Sequence, residues 1–345
     1  MLDEFHERSA ELDLLAAAGR ARAAAGKLRL LFCSATLDVA GLARELGARI
    51  VQAEGRSYPV EIRYEGEGGP SEEGLETRVA AAVRRALTTL EGDVLVFLPG
   101  RASIRRCMEA LASVTGVRLV EVHGGVSPER LADAFEGGEG RRVYLATNVA
   151  ESSVTLPGVR CVIDSGLVKR IVHRAGRSLL ALERVALDSA DQRAGRAGRV
   201  AAGQCWRLWG RGFSLEEQTP PELAGIELDD FVVRAASLGL AGARFDGAPW
   251  VTPPPAFAVE AARARLLRAG VLDREHELSE RGRAFAQLPV SAQRAGLLLD
   301  APPALRGDLA DLVARLEVDR PLLARGRPSD RVDEARAELL ADARD

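Results

Sequence analysis

Between Leu28 and Trp209, short apolar runs rich in β-branched residues alternate with segments of helical period, and no other feature of the chain limits its fold as much. A strand covered on both faces needs an unbroken apolar run, and the crossover to the next parallel strand needs a helix. The pattern therefore predicts an α/β fold, a mostly parallel sheet clothed by helices. Strands are expected over 28–32, 94–98, 118–122, 143–146, 159–163 and 205–209. Helices are expected over 75–90, 102–114 and 128–135, with a further one opening near Ser189, where Ser189 and Gln192 have the form of a capping box.

Glycines 66, 68, 69 and 74 with Pro70 mark residues 65–74 as a linker between two units, and a second boundary is expected over 210–221. Helices follow over 228–238 and 257–269, separated by Pro253, Pro254 and Pro255, then a wing-like segment over 271–278 and further helix from Leu297. At 47% hydrophobic and 28% charged residues in 345, the chain has the balance of a globular protein and not of a disordered one. It has no run of about 18 uncharged apolar residues, so no membrane segment is expected and the cytoplasm is the expected compartment. Cys33, Cys107, Cys161 and Cys205 are too scattered for a metal cage and suit reduced thiols.

A net charge of −3 argues against polyanion binding through bulk basicity. From Arg160 to Arg199, however, nine basic residues face four acidic ones, so a polyanion site, if present, belongs there. A solvated arginine face would give the same count. The most informative run is Gln192-Arg193-Ala194-Gly195-Arg196-Ala197-Gly198-Arg199. Arginines spaced by three share one face of a helix, and the glycines, which weaken a helix by about 1 kcal/mol each, would let that face approach a phosphate. A salt-bridged surface helix is the alternative.

This run resembles motif VI of superfamily 2 helicases. Asp3-Glu4-Phe5-His6-Glu7-Arg8 resembles motif II of the DEAH-box enzymes, in the Phe-containing variant of the bacterial HrpB type. Ser34-Ala35-Thr36 resembles motif III, Val96-Phe97-Leu98-Pro99-Gly100 motif IV, and the run from Ala146 to Thr155, closing at Asp164-Ser165-Gly166, motif V. Their order makes coincidence a poor explanation. Segments near Pro220, Ala258–Leu267 and Leu278–Leu288 resemble the winged-helix domain of the same enzymes.

The resemblance implies an ATP-dependent nucleic-acid helicase with four parts: residues 1–57 as the remnant of a first RecA-like domain, 58–211 as a complete second one, 212–288 as a winged-helix-like domain, and 289–345 as the start of a helical ratchet-like domain. Carried over by position, Asp3 and Glu4 would bind Mg2+, with Glu4 orienting and deprotonating the attacking water. His6, Ser34 and Thr36 would couple nucleotide state to movement. Gln192, Arg196 and Arg199 would reach the γ-phosphate of ATP, with Arg193 lining the same gap. Gly100, Arg101, Thr147, Asn148 and Thr155 would hold the backbone of single-stranded RNA or DNA without reading its sequence.

No G-x-x-x-x-G-K-S/T loop occurs in the sequence; the nearest approach, Gly26-Lys27, is followed by Leu28. Lacking the amides and lysine that cradle the β- and γ-phosphates, the chain is expected to be an N-terminally truncated helicase, inactive alone, with residues 1–57 leaning on the missing N-terminal half. The alternative is a non-catalytic nucleic-acid-binding or scaffold module. A metabolic α/β enzyme is disfavoured, because the sequence has no dinucleotide loop and no nucleophile elbow.

Overall fold

The structure, a computed structural model, describes residues 1–34, 39–51, 58–127, 129–132, 140–152, 154, 156–174, 177–240 and 245–317. Six strands form one parallel sheet: β1 (Val60–Tyr64), β2 (Asp93–Phe97), β3 (Val117–Val122), β4 (Arg141–Ala146), β5 (Val159–Asp164) and β8 (Gly203–Arg207). Their order is β1-β8-β5-β2-β4-β3. Strands β6 (Leu167–Arg174) and β7 (Arg177–Arg184) stand apart as an antiparallel hairpin.

The all-apolar stretch from Val94 to Phe97 makes β2 the centre of the sheet, because every side chain there has a covered face to enter. Val94, Val96 and Leu98 pack with Val79 and Val83 of α3 (Leu75–Thr89) and with Ile104 and Leu111 of α4 (Arg101–Leu111). Leu95 and Phe97 face the other way, toward Val162, Cys205, Ala194 and Ala197. Each such side chain, fully buried, contributes about 1.5 to 3 kcal/mol. With both faces covered by helical elements, this is the RecA-like α/β fold that the sequence implies.

The chain divides into two compact units, Met1–Arg8 with Leu31–Ile226, and Ser9–Leu30 with the chain from Glu227 onward. The first holds the sheet, with α2 (Val39–Leu46), α3 and α4. In it, the Leu2 amide donates to the Leu31 carbonyl and the Cys33 amide to the Leu2 carbonyl, both at 2.8 Å, and fully buried Phe5 meets the Phe32 ring edge-on at 4.9 Å. The second is helical, built from α1 (Ala10–Ala24), α6 (Asp229–Ser237), α7 (Ala256–Arg268), α8 (Glu280–Gln287), α9 (Ala292–Asp300) and α10 (Arg306–Glu317). Its core includes Phe231, Phe245 and Trp250, and a single antiparallel bridge pairs Leu272 with Leu278. No helix among the described residues is long and apolar enough to cross a membrane.

Several expectations are corrected. The strand over 28–32 shrinks to one parallel bridge, Leu2 to Phe32, because the short Met1–Asp3 segment is the neighbour it pairs with. Residues 65–74 join β1 to α3 inside the first unit instead of linking two units. Ser189 does not cap a helix, since α5 (Leu187–Gly195) begins two residues earlier and the Ser189 hydroxyl donates to Glu151 instead. Helix 128–135 lies partly outside the described residues. The two units draw 9–30 and the chain after 226 together.

Candidate functional site

In parallel sheets, the carboxyl ends of the strands are where loops can gather side chains from several elements. Here those ends carry Leu98–Arg101 after β2, His123–Val126 after β3, Thr147–Ser152 after β4 and Ser165–Gly166 after β5. The acidic N-terminal segment belongs to the same unit. Its single 3-10 turn, Phe5–Glu7, is flanked by Glu4 and Arg8, both left-handed with φ of 49° and 47°. Such backbone costs a non-glycine residue on the order of 1 to 3 kcal/mol and is held only where the surroundings impose it. Buried Phe5, whose amide donates to the Cys33 carbonyl at 3.0 Å, supplies that hold.

This turn brings the acidic N-terminal segment against the loop after β4 and against α5. A ring nitrogen of His6, Nε2, lies 2.8 Å from Nε2 of Gln192, and its Nδ1 lies 3.4 Å from a Glu4 carboxylate oxygen. The Ser152 hydroxyl donates to Glu7 at 2.5 Å. Asp3 accepts the Glu4 amide at 3.0 Å and is exposed. Ser34 Oγ is buried and has no hydrogen-bond partner among the described residues. Thr36 and Thr155 lie outside the described residues.

The three arginines do not share a face. Helix α5 ends at Gly195 and tightens into a 3-10 turn, Arg196–Gly198. Arg193 points inward, 1% exposed. Its Nε donates to Glu151 at 2.7 Å, its Nη1 to Asp164 at 2.8 Å, and the guanidinium lies 4.9 Å over the Phe97 ring. Burial works against its charge, but Glu151 and Asp164 outweigh that and raise its pKa. The expectation that Arg193 lines a nucleotide gap is therefore corrected: its fork is spent on two carboxylates, in the crevice between the ends of β2 and β5.

Arg196 is the opposite case. It is only 5% exposed, and its Nη1 donates to the Val154 carbonyl at 2.8 Å. Burial and the neighbouring Arg199 push its pKa down to about 10, against the weaker pull of Glu4 and Glu151. It stays a cation at neutral pH, yet one whose charge is under-compensated, which is the electrostatic condition that an incoming phosphate would relieve. Arg199 is exposed. Gly198 serves packing, because a methyl there would come within 2.5 Å of the Tyr58 carbonyl oxygen, whereas Gly195 faces open space.

The residues expected to grip nucleic acid cluster on adjacent strands. Gly100 opens α4 just after β2, Thr147 donates its amide to Val122 at 3.0 Å just after β4, and Arg101 and Asn148 are exposed. Sequence reasoning gave no role to Glu151, which ties the loop after β4 to α5 through Arg193 and Ser189; its place within the motif V run was the available signal. Among the described residues no cluster of three or more His, Cys, Asp or Glu could hold a metal by itself. Two carboxylates, Asp3 and Glu4, are nevertheless the usual protein share of a magnesium site completed by water and phosphate.

Acidic, hydroxyl and arginine side chains thus gather near the carboxyl ends of the strands of one parallel RecA-like sheet. Residues 78–201 match the helicase conserved C-terminal domain. Over most of its length the chain is similar to DEAH-type RNA helicases, the HrpB kind among them. It is 36% identical over 314 residues to the ATP-dependent RNA helicase HrpB of Escherichia coli (strain K12), covering 87% of this chain and 38% of that protein. Against the ATP-dependent RNA helicase HrpA of the same organism it is 32% identical over 318 residues, 87% of this chain and 24% of that one. The crystal structure of Escherichia coli DEAH/RHA helicase HrpB superimposes with a TM-score of 0.85 at 31% identity, over 99% of this chain and 45% of that chain. The chain thus spans less than half the length of these relatives.

Proposed function

We propose that the chain is the nucleic-acid-gripping and arginine-supplying part of an ATP-dependent helicase that moves along single-stranded RNA or DNA. The observation that carries this reading is the buried, under-compensated Arg196 in the same unit as Glu4, with Gln192 already joined to His6. An anion between Arg196 and Arg199 would complete the charge balance, and the triphosphate tail of ATP has the form for it. Asp3 and Glu4 would hold the magnesium ion, which supplies charge neutralisation at the phosphates when bound. Glu4 would orient water and accept its proton. Gly100, Arg101, Thr147 and Asn148 would carry the backbone of the strand.

Because the sequence contains no phosphate-cradling loop, ATP turnover by this chain alone is expected to be weak or absent, while strand binding persists. Two measurements on the purified chain test this: fluorescence anisotropy with oligouridine and oligodeoxythymidine, and phosphate release with and without either strand. Salt-sensitive binding supports the reading, and no binding to either strand rejects it. Phosphate release that vanishes in Arg196→Ala would extend it to catalysis. Binding that persists with no nucleotide response, even when the chain is supplied with a loop-bearing amino-terminal half, would favour a non-catalytic binding module.

A further inference from the structure

Beyond β8 the chain remains in the first unit through Ile226. The amides of Leu187 and Asp188 donate to the carbonyls of Glu216 and Glu217, at 2.8 and 3.2 Å, and the Asp188 carboxylate accepts both the amide and the hydroxyl of Thr219 at 2.9 Å. Residues 216–219 are thereby fastened to the first turn of α5. Pro220 and Pro221 follow, and Glu222 opens a 3-10 turn, Glu222–Ala224, whose first amide donates to the Arg8 carbonyl at 3.0 Å. Arg8 is the left-handed residue that ends the acidic turn. Next comes Gly225, on which a methyl would lie 3.2 Å from the Ile171 carbonyl oxygen and 3.9 Å from Cα of Val172. Its φ of −124° is open to any residue, so glycine is needed there for the space that the hairpin backbone takes.

One stretch, 216–225, therefore touches α5, the acidic turn and the β6–β7 hairpin in succession. It is also stiff. Each proline fixes its own φ, and Pro221, at φ −55° and ψ 144°, carries the span between Thr219 and Glu222 in extended form. Leu223, 2% exposed, anchors the turn by burial. No residue of the stretch belongs to the nucleotide motifs or to the loops after β2 and β4.

We infer that residues 216–225 form a strut that fixes the β6–β7 hairpin against α5 and the acidic turn, with the Glu222 amide and Gly225 as its positioning points. The inference goes beyond the function proposed above, because it concerns what holds the hairpin, whatever the hairpin touches. A shift of α5 or of the acidic turn is passed along the strut to the hairpin, since a stiff segment fastened at three places moves as one piece. Proximity alone does not establish such coupling, and non-additive effects at separate fastenings do.

Hydrogen exchange of the full chain, followed by mass spectrometry in peptides covering Leu167–Val172 and Leu179–Arg184, reads the hairpin. Glu222→Pro deletes the amide that Arg8 accepts. Proline suits the first position of a helical turn, and the ψ of Pro221 is already what a following proline requires. Hairpin exchange is expected to rise about fivefold, the factor that loss of one ordinary hydrogen bond gives, with β2 and β4 peptides unchanged. Glu222→Ala keeps the amide and should leave the hairpin as it was. Gly225→Ala sets a methyl against the Ile171 carbonyl and should raise hairpin exchange with the Arg8 bond intact. Asp188→Ala, which releases the strut from α5, should raise it as well, and combined with Glu222→Pro should add little, because either cut already frees the strut. Should Glu222→Pro not fold, Asp188→Ala and Gly225→Ala carry the same test of additivity. The inference is overturned by unchanged hairpin exchange in Glu222→Pro or Gly225→Ala, by an equal rise in β2 and β4, by Glu222→Ala matching Glu222→Pro, or by factors that simply multiply in the double variant.

Discussion

Two arginines three residues apart do opposite work. Arg193 sits between Glu151 and fully buried Asp164, so replacing it with alanine strands two carboxylates, one of them without solvent. Breaking a buried pair in this way costs about 3 to 5 kcal/mol. Arg196→Ala removes a cation whose burial was poorly offset, so its cost should be clearly smaller. Urea denaturation of both variants checks the order, and equal losses would contradict the distinction. Spacing of three identified the run but not this division, because the partners of Arg193 lie 42 and 29 residues away in sequence. A residue's neighbours at long range are what decide whether its charge is spent or available. The same logic applies to Gly125→Ala. The added methyl would push aside only the flexible end of Arg101, so thermal stability should hold while oligouridine affinity falls severalfold; unchanged affinity would remove Arg101 from the strand site.

Among the elements, β2, β3, β4, β5 and β8 were legible to within a few residues: β2, β4 and β5 carry apolar runs that only a covered sheet can use, β3 alternates, and β8 continues into Leu208-Trp209. The β6–β7 hairpin was not. In Leu167-Val168-Lys169-Arg170-Ile171-Val172 the apolar pairs recur every four residues, a helical period, and only the pairing with β7 makes them strands. Strand β1 does alternate, with Val60, Ile62 and Tyr64 on one face, but its short run gains its meaning from β8 at the far end of the domain. The loop after β3 adds a pH dependence. His123 accepts the Gly125 amide on Nδ1 at 3.0 Å, which requires the neutral ring, and burial together with Arg101 lowers its pKa. In the unfolded chain the ring titrates near its ordinary value of about 6.5. As pH falls below that value the unfolded state takes up the proton first, so stability drops until the folded-state pKa is passed. Urea midpoints at pH 7.5 and 5.5 should therefore differ less in His123→Gln than in the unaltered chain. An identical difference would exclude this histidine as the source.

At the scale of the whole molecule, apolar periodicity marked where helices lie but not which of them pack together. The expected boundary over 210–221 falls short of the division after Ile226, and helix α1, read as part of a RecA-like remnant, belongs with the second unit. Its membership rests on contacts no local pattern announces. Arg20 Nη1 donates to the Trp250 carbonyl at 2.7 Å, and Trp250 stacks on Phe245 at 5.2 Å and leans on Phe231 at 5.3 Å. A hydrogen bond from a charged group contributes about 1.5 to 3 kcal/mol. If the two units open as separate cooperative bodies, Arg20→Ala should speed amide exchange in peptides covering α6 and α7 and leave β2 and β4 protected as before. Hydrogen exchange followed by mass spectrometry reads both at once. Faster exchange in β2 and β4 as well would show one cooperative body, and exchange unchanged in α6 would show that α1 contributes nothing to the core of the second unit.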